Sequence, residues 1–139
     1  MNINYIETKS GKKLFSFYRH DFKMEEGVGI DGGIDGYIRI IGNAVLKTDT
    51  IENLIEDIRS QFTWTTIYGK DKKRVPAHKN LLKDLDTNHI LEILIFFTRP
   101  FDSESTISIV WKTIHIIFLE ELKYRLGQQS AEDREKQEK

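Results

Sequence analysis

The feature that most constrains this chain is a change of hydrophobic period just before residue 50. Upstream, short β-branched and aromatic runs alternate with turn residues, the pattern of consecutive strands. Ile3 to Thr8 and Leu14 to Lys23 flank Ser10-Gly11-Lys12 and read as a hairpin. Along the second run Phe15, Phe17 and Arg19 share one face, and Leu14, Ser16, Tyr18, His20 and Phe22 share the other. Gly27 to Ile30, Gly36 to Ile41 and Ala44 to Thr48 follow, separated by Asp31-Gly32-Gly33 and Gly42-Asn43, both of which favour positive φ. The first 48 residues therefore predict an antiparallel β-meander of four or five strands.

Beyond that point Ile51, Leu54, Ile55, Ile58 and Phe62 recur at helical spacing, which predicts a helix from about residue 50 to residue 62, with Asp49 and Glu52 as a capping box. Periodicity vanishes from Thr63 to Leu82, where Gly69, Pro76 and a lysine cluster predict a long connection. A second helix is expected from near Thr87, with Ile90, Ile93, Leu94 and Phe97 inward and Arg99-Pro100 ending it. A third is expected after Asp102-Ser103, running to about Arg125. Its apolar stripe of Ile107, Val110, Trp111, Ile114, Ile117, Phe118 and Leu122, with Ile109, Ile116 and Leu119 outside it, is broader than a surface helix needs. Either a sheet and a neighbouring helix cover that stripe or it lies at a subunit interface, and analogy with obligate interfaces favours a dimer over a monomer. Gly127 is a natural stop, leaving Gln128 to Lys139 as a polar, disordered tail. The expected fold class is α+β: residues 1–126 form a single domain in which the meander packs against three C-terminal helices.

A chain of 139 residues, 39% hydrophobic, is large enough to bury roughly two-thirds of its unfolded surface. It holds no cysteine, which excludes disulfides, thiolate zinc sites and thiol nucleophiles. The densest apolar run, Ile90 to Phe97, is broken by Glu92 and too short for a membrane span. Met1-Asn2-Ile3-Asn4 lacks the basic-then-apolar layout of a secretory signal, so a cytoplasmic location without membrane contact is expected. Net charge of −1 argues against bulk or sequence-specific nucleic-acid binding, which depends on many phosphate-neutralising cations. Two segments are nevertheless basic. Lys9, Lys12, Lys13, Arg19 and Lys23 face only Glu7 and Asp21 within residues 5–23, and Lys70, Lys72, Lys73, Arg74, Lys79 and Lys83 face only Asp71 and Asp84 within residues 68–84. That distribution suits a compact anionic ligand better than a long polyanion.

His20, His78, His89 and His115 show no metal-ligand spacing, and His115 on the apolar helix reads as a core or interface histidine. His20 and Asp21 are adjacent, so on a strand they point to opposite faces and form no dyad. No nucleophile elbow or phosphate-binding loop occurs; Gly27-Val28-Gly29-Ile30-Asp31-Gly32-Gly33 matches the dinucleotide fingerprint only in glycine content, and no helix pattern follows it. No catalytic residue, metal or cofactor is called for. What remains is a set suited to phosphates and bases: Arg19, Arg39 and Arg59 as forked phosphate donors, Phe62 and Trp64 as stacking planes, and the Asp31-Gly32-Gly33 turn as a source of backbone N–H groups. Each also has a structural role open to it: Arg19 in an ion pair, Phe62 in the helical stripe, Trp64 beneath the loop.

Taken together, Tyr18-Arg19-His20-Asp21-Phe22, Ile30-Asp31-Gly32-Gly33, Tyr37-Ile38-Arg39, Asp57-Ile58-Arg59 with Phe62 and Trp64, Leu82-Lys83-Asp84-Leu85 with His89-Ile90, and Glu121-Leu122-Lys123-Tyr124-Arg125 resemble a family of small phage and prophage proteins over residues 14–126. That family resembles the phage anti-Thoeris sponges, whose members bind cyclic ADP-ribose isomers made by immune TIR enzymes. The resemblance implies an N-terminal antiparallel sheet with C-terminal helices, assembly as dimers or higher oligomers, and sequestration of the signal in the host cytosol without cleavage. Some members also bind cyclic oligonucleotides. Pocket residues would map onto Arg19, Arg39 and Phe62. A pocket asparagine expected after Trp64 is replaced by the stretch Lys70 to Lys73, and an arginine expected towards the second helix is missing, with His89 among the nearest candidates.

Three function classes follow: a non-enzymatic binder of a small cyclic nucleotide, a protein inhibitor that blocks a host nuclease or effector by contact through the basic segment 68–84 and the tail, and a metal-dependent phosphodiesterase using His20 with Asp31 or Asp35. The third requires ligands to converge from strands of unknown register.

Overall fold

Tyr5 and Ile6 are neighbours on one strand and are buried in different cores, which divides the protein into layers. The computed structural model describes residues 1–17, 21–32, 38–68, 74–96 and 106–138. In it β1 (Asn2–Glu7) lies between β2 (Lys13–Leu14) and β6 (Lys47–Thr50), antiparallel to both. A second antiparallel sheet holds β3 (Lys23–Glu25), β4 (Val28–Asp31) and β5 (Arg39–Ile41), with β4 in the middle. Ile6 and Leu14 of the first sheet pack against Val28 and Ile30 of the second, with Ile38, Ile40 and Ala44 beside them. Ile3 and Tyr5 face the other way, into the main core formed with the helices. The fold is α+β, and the upstream strands divide between two sheets instead of forming one meander.

The run expected to continue from Leu14 to Lys23 ends as a strand at Leu14. Side chains replace the ladder there. The Gln61 amide accepts from the Phe15 N–H at 3.1 Å and donates to the Lys13 carbonyl at 2.6 Å, so backbone groups a neighbouring strand would bind are already satisfied.

Helix α1 (Ile51–Ile58) buries Ile51, Leu54, Ile55 and Ile58, the spacing that predicted it. Its cap differs from the expected Asp49–Glu52 box: the Thr50 hydroxyl accepts the Asn53 N–H, and Asp49 accepts from the Asn53 side chain and the Thr50 N–H. Those bonds, the Asn53 side chain first, hold Asp49 below the usual carboxylate value. The expected connection after α1 is an antiparallel hairpin, β7 (Thr63–Tyr68) and β8 (Arg74–Leu81). Thr63-Trp64-Thr65-Thr66-Ile67-Tyr68 is rich in β-formers, and Pro76 is tolerated because β8 pairs, among the described residues, with β7 alone. Lys70 to Lys73 lie outside the described residues.

Helix α2 (Thr87–Phe96) buries Ile90, Ile93 and Leu94 as expected. Helix α3 (Thr106–Glu138) buries Ile114, Ile117 and Phe118 and packs against α1 and α2, while Val110, Trp111, Ile116, Leu122 and Tyr124 flank the core. Neighbouring helices thus account for most of the broad stripe, and Leu119 and Leu126 remain exposed. The stop expected at Gly127 does not occur, and the helix runs on to Glu138. A glycine inside a helix costs only about 1 kcal/mol, and the following Gln, Ala, Glu and Arg residues are good helix formers. Rings tie the layers together: Phe15 stacks on Phe17 at 5.8 Å, Phe17 meets Phe62 edge-on at 5.1 Å, and Phe62 meets Phe118 at 5.8 Å.

The turn that leaves β5 depends on Gly42, whose φ is +83° and where an added Cβ would lie 2.3 Å from the Gly27 carbonyl oxygen. Gly42→Ala is expected to cost about 1–3 kcal/mol in urea denaturation, through left-handed strain and a backbone clash. Gly11→Ala, at φ +89° with open space around it, should cost only the strain, about 1 kcal/mol.

Candidate functional site

Strand β4 has two different faces. Val28 and Ile30 point into the inter-sheet core, so Gly29 and Asp31 belong to the opposite face. Register adds their neighbours: Met24 and Ile41 lie opposite Gly29, and Arg39 lies opposite Asp31. Phe22 joins them because Gly29 has no side chain. A Cβ at Gly29 would come within 3.1 Å of Phe22 Cε2 and Cζ, so the ring rests on the glycine, with 43% of the residue still exposed. Met24 and Arg39 are exposed too, and Arg39 forms no salt bridge with any described residue.

Asp31 is only 7% exposed, and its Oδ1 is buried with no hydrogen-bond partner among the described residues. Described polar groups beside it in the chain and along this network are committed elsewhere. The Gly32 N–H donates to the Ser16 hydroxyl at 2.8 Å, Gly32 having a φ of +80°, and that hydroxyl donates to the Asp21 carbonyl. The Asp21 carboxylate accepts the Phe17 N–H at 3.3 Å and pairs with Lys23 at 3.4 Å. A buried carboxylate oxygen without a donor forfeits its hydration for nothing in return, so this one atom calls for an explanation.

Other candidates lie elsewhere. Arg59, at the C-terminal end of α1, donates through Nε and Nη2 to Glu121, with the shortest contact at 2.9 Å, and lies 4.4 Å from the centroid of the Tyr124 ring. The Glu121 hydrogen bonds raise Arg59 above the ordinary guanidinium value. Arg125 binds the same carboxylate through Nε at 2.9 Å and reaches Thr87 Oγ1 and the Leu82 carbonyl with its other nitrogens. Glu121 is wholly buried between the two guanidinium groups. Phe62 is also fully buried, and Trp64 packs edge-on against Phe118 at 5.3 Å and Trp111 at 6.4 Å. His89 is half-buried in the first turn of α2.

The structure thus brings Asp31, Gly32 and Arg39 together at one end of the second sheet and leaves Arg59, Phe62, Trp64 and His89 on the helical side. Arg19 and Gly33 lie outside the described residues, as do His20 and Asp35. Phe22 and Gly29 are absent from the candidates read in the sequence. A glycine inside a strand run is the signal that points to them, since it marks a close approach by another group. Among the described residues no three His, Asp or Glu side chains form a metal-holding group, and no helix is long and apolar enough to cross a membrane. No protein-family model matches the chain, and neither the curated proteins nor the solved structures give a match.

Removing Glu121 leaves two guanidinium groups facing each other in a desolvated site. Glu121→Ala is therefore expected to cost about 3–5 kcal/mol in chemical denaturation. Lys123→Ala, which removes an exposed ammonium paired with Glu120, should cost less than about 1 kcal/mol.

Proposed function

We propose that this protein binds and sequesters a cyclic nucleotide immune signal, a cyclic ADP-ribose isomer or a cyclic oligonucleotide, without cleaving it. One observation supports the reading: an exposed guanidinium that pairs with no described residue and an exposed aromatic ring share one face of a small sheet. Each suits a different part of a nucleotide. Arg39 is a forked donor for phosphate oxygens and Phe22 is a plane for a base. Capture of this kind needs affinity alone, and the resemblance to anti-Thoeris sponges supplies the counter-defence setting in the host cytosol and assembly as a homo-oligomer.

A second reading, inhibition of a host defence nuclease or effector by direct contact, is favoured by a different feature. Leu91 and Ile95, one turn apart on α2, are both exposed.

Isothermal titration with cyclic ADP-ribose isomers and cyclic oligonucleotides tests the first reading. Binding is expected with at least one of them, weakened roughly tenfold or more by Arg39→Ala, the range of a charge-assisted hydrogen bond. Ligand recovered intact after heating the complex distinguishes capture from turnover. Absence of heat with every ligand, together with a specific partner drawn from host lysate, would decide for the second reading.

A further inference from the structure

We infer that an exposed row along α3 is the seat of a second copy of this chain, the two α3 helices packing antiparallel about a two-fold axis near Leu122. This deepens the homo-oligomer proposed above by naming the surface that builds it, and it does not depend on which ligand is bound.

Spacing lays out the row. Lys112, Leu119, Leu126 and Asp133 follow one another at intervals of seven, so they run along one side of the helix for about 32 Å. All four are exposed, Leu119 to 40% and Leu126 to 63%. Leu122 lies between the two leucines and is half-buried, where the row borders the main core. Ile114, Ile117 and Phe118 already fill that core, so the exposed leucines are surplus to it.

The far end of α3 points to the same need for a partner. Every residue from Leu126 to Arg134 is exposed, and no packed layer among the described residues holds this end. A helical segment of that length is marginal in water on propensity alone. In an antiparallel pair it lies along the helix of the second copy, and Leu126 is covered by Leu119 of the partner subunit.

Charge then fixes both the occupant and its direction. From N- to C-terminus the row reads cation, leucine, leucine, anion. A parallel pair brings like positions together, setting ammonium against ammonium and carboxylate against carboxylate. Reversed about the middle, the row meets its own complement: Leu119 faces Leu126 of the partner subunit, Lys112 faces Asp133 of the partner subunit, and each contact is made twice. Self-complementarity of this kind is what a two-fold interface requires, and a foreign protein would have to present the same four-part order by coincidence.

The test is sedimentation of the intact protein, with a dimer of twice the 16.3 kDa chain mass expected at micromolar concentration. Leu126→Glu should weaken association by on the order of tenfold or more, with circular dichroism of the variant confirming that its fold is kept. Lys112→Glu and Asp133→Lys should each weaken it, and the two together in one chain should restore it, because the reversed charges again face opposites. Direction is read by cross-linking, for which the chain has no competing cysteine. On mild oxidation a mixture of Leu119→Cys and Leu126→Cys chains should link far more than either variant alone. A monomer at every concentration, a dimer unmoved by Leu126→Glu, no restoration by the double reversal, or linking of Leu119→Cys to itself overturns the assignment. None of these results bears on titration with nucleotides, so the binding reading stands or falls separately.

Discussion

Glu121 is the point on which the helical half of the molecule turns. A carboxylate with no solvent exposure is tolerable only if its lost hydration is replaced, and here two guanidinium groups replace it. Each of them also ties down something else. Arg125 holds the Leu82 carbonyl and the Thr87 hydroxyl, fixing the end of the β7–β8 hairpin and the start of α2 to α3. Arg59 anchors the end of α1, and its own carbonyl accepts the Lys83 N–H. One buried charge thereby sets the positions of three helices and a hairpin, which explains why these residues serve the scaffold despite having the chemistry of a phosphate site.

The second sheet is organised by a different constraint. Its central strand β4 is buried along its whole length, yet its outward face holds only a glycine and an aspartate. Hydrophobic burial is complete on the inner face, where Val28 and Ile30 meet Ile6 and Leu14. The outer face contributes little to that core and is free to vary in chemistry. A glycine that admits a flat ring, beside an acid whose oxygen has no partner among the described residues, is a combination that packing does not require. Such departures from internal consistency are expected where a protein serves function over stability.

Much of this was readable from residue pattern. The period switch placed α1, and Ile51, Leu54, Ile55 and Ile58 are all buried. Ile90, Ile93 and Leu94 were identifiable as the inner face of α2, and Ile114, Ile117 and Phe118 as that of α3. The hairpin β7–β8 was missed because its second strand, rich in charge and containing a proline, lacks the alternation that marks a half-buried strand. The extension of α3 past Gly127 was missed because glycine is a strong local signal but a weak energetic one. For the candidate site, Asp31, Gly32 and Arg39 were legible as turn and strand residues, but their proximity depends on the β4–β5 register. Phe22 was hidden because a ring's partner on a strand is set by the neighbouring backbone, not by its own sequence context.

Sequence alone determined the α+β class, the helical faces and the absence of cysteine chemistry, since each follows from spacing or residue type within one segment. Tertiary structure decided which arginines are committed and which are free. Arg59 and Arg39 are the same residue type and each follows an isoleucine, yet one is held by a buried carboxylate 62 residues away in the chain and the other stands exposed beside an acid it does not pair with. Long-range contacts of that kind leave no periodic trace, because the side chain that satisfies a charge is chosen by the packing of elements and not by their order.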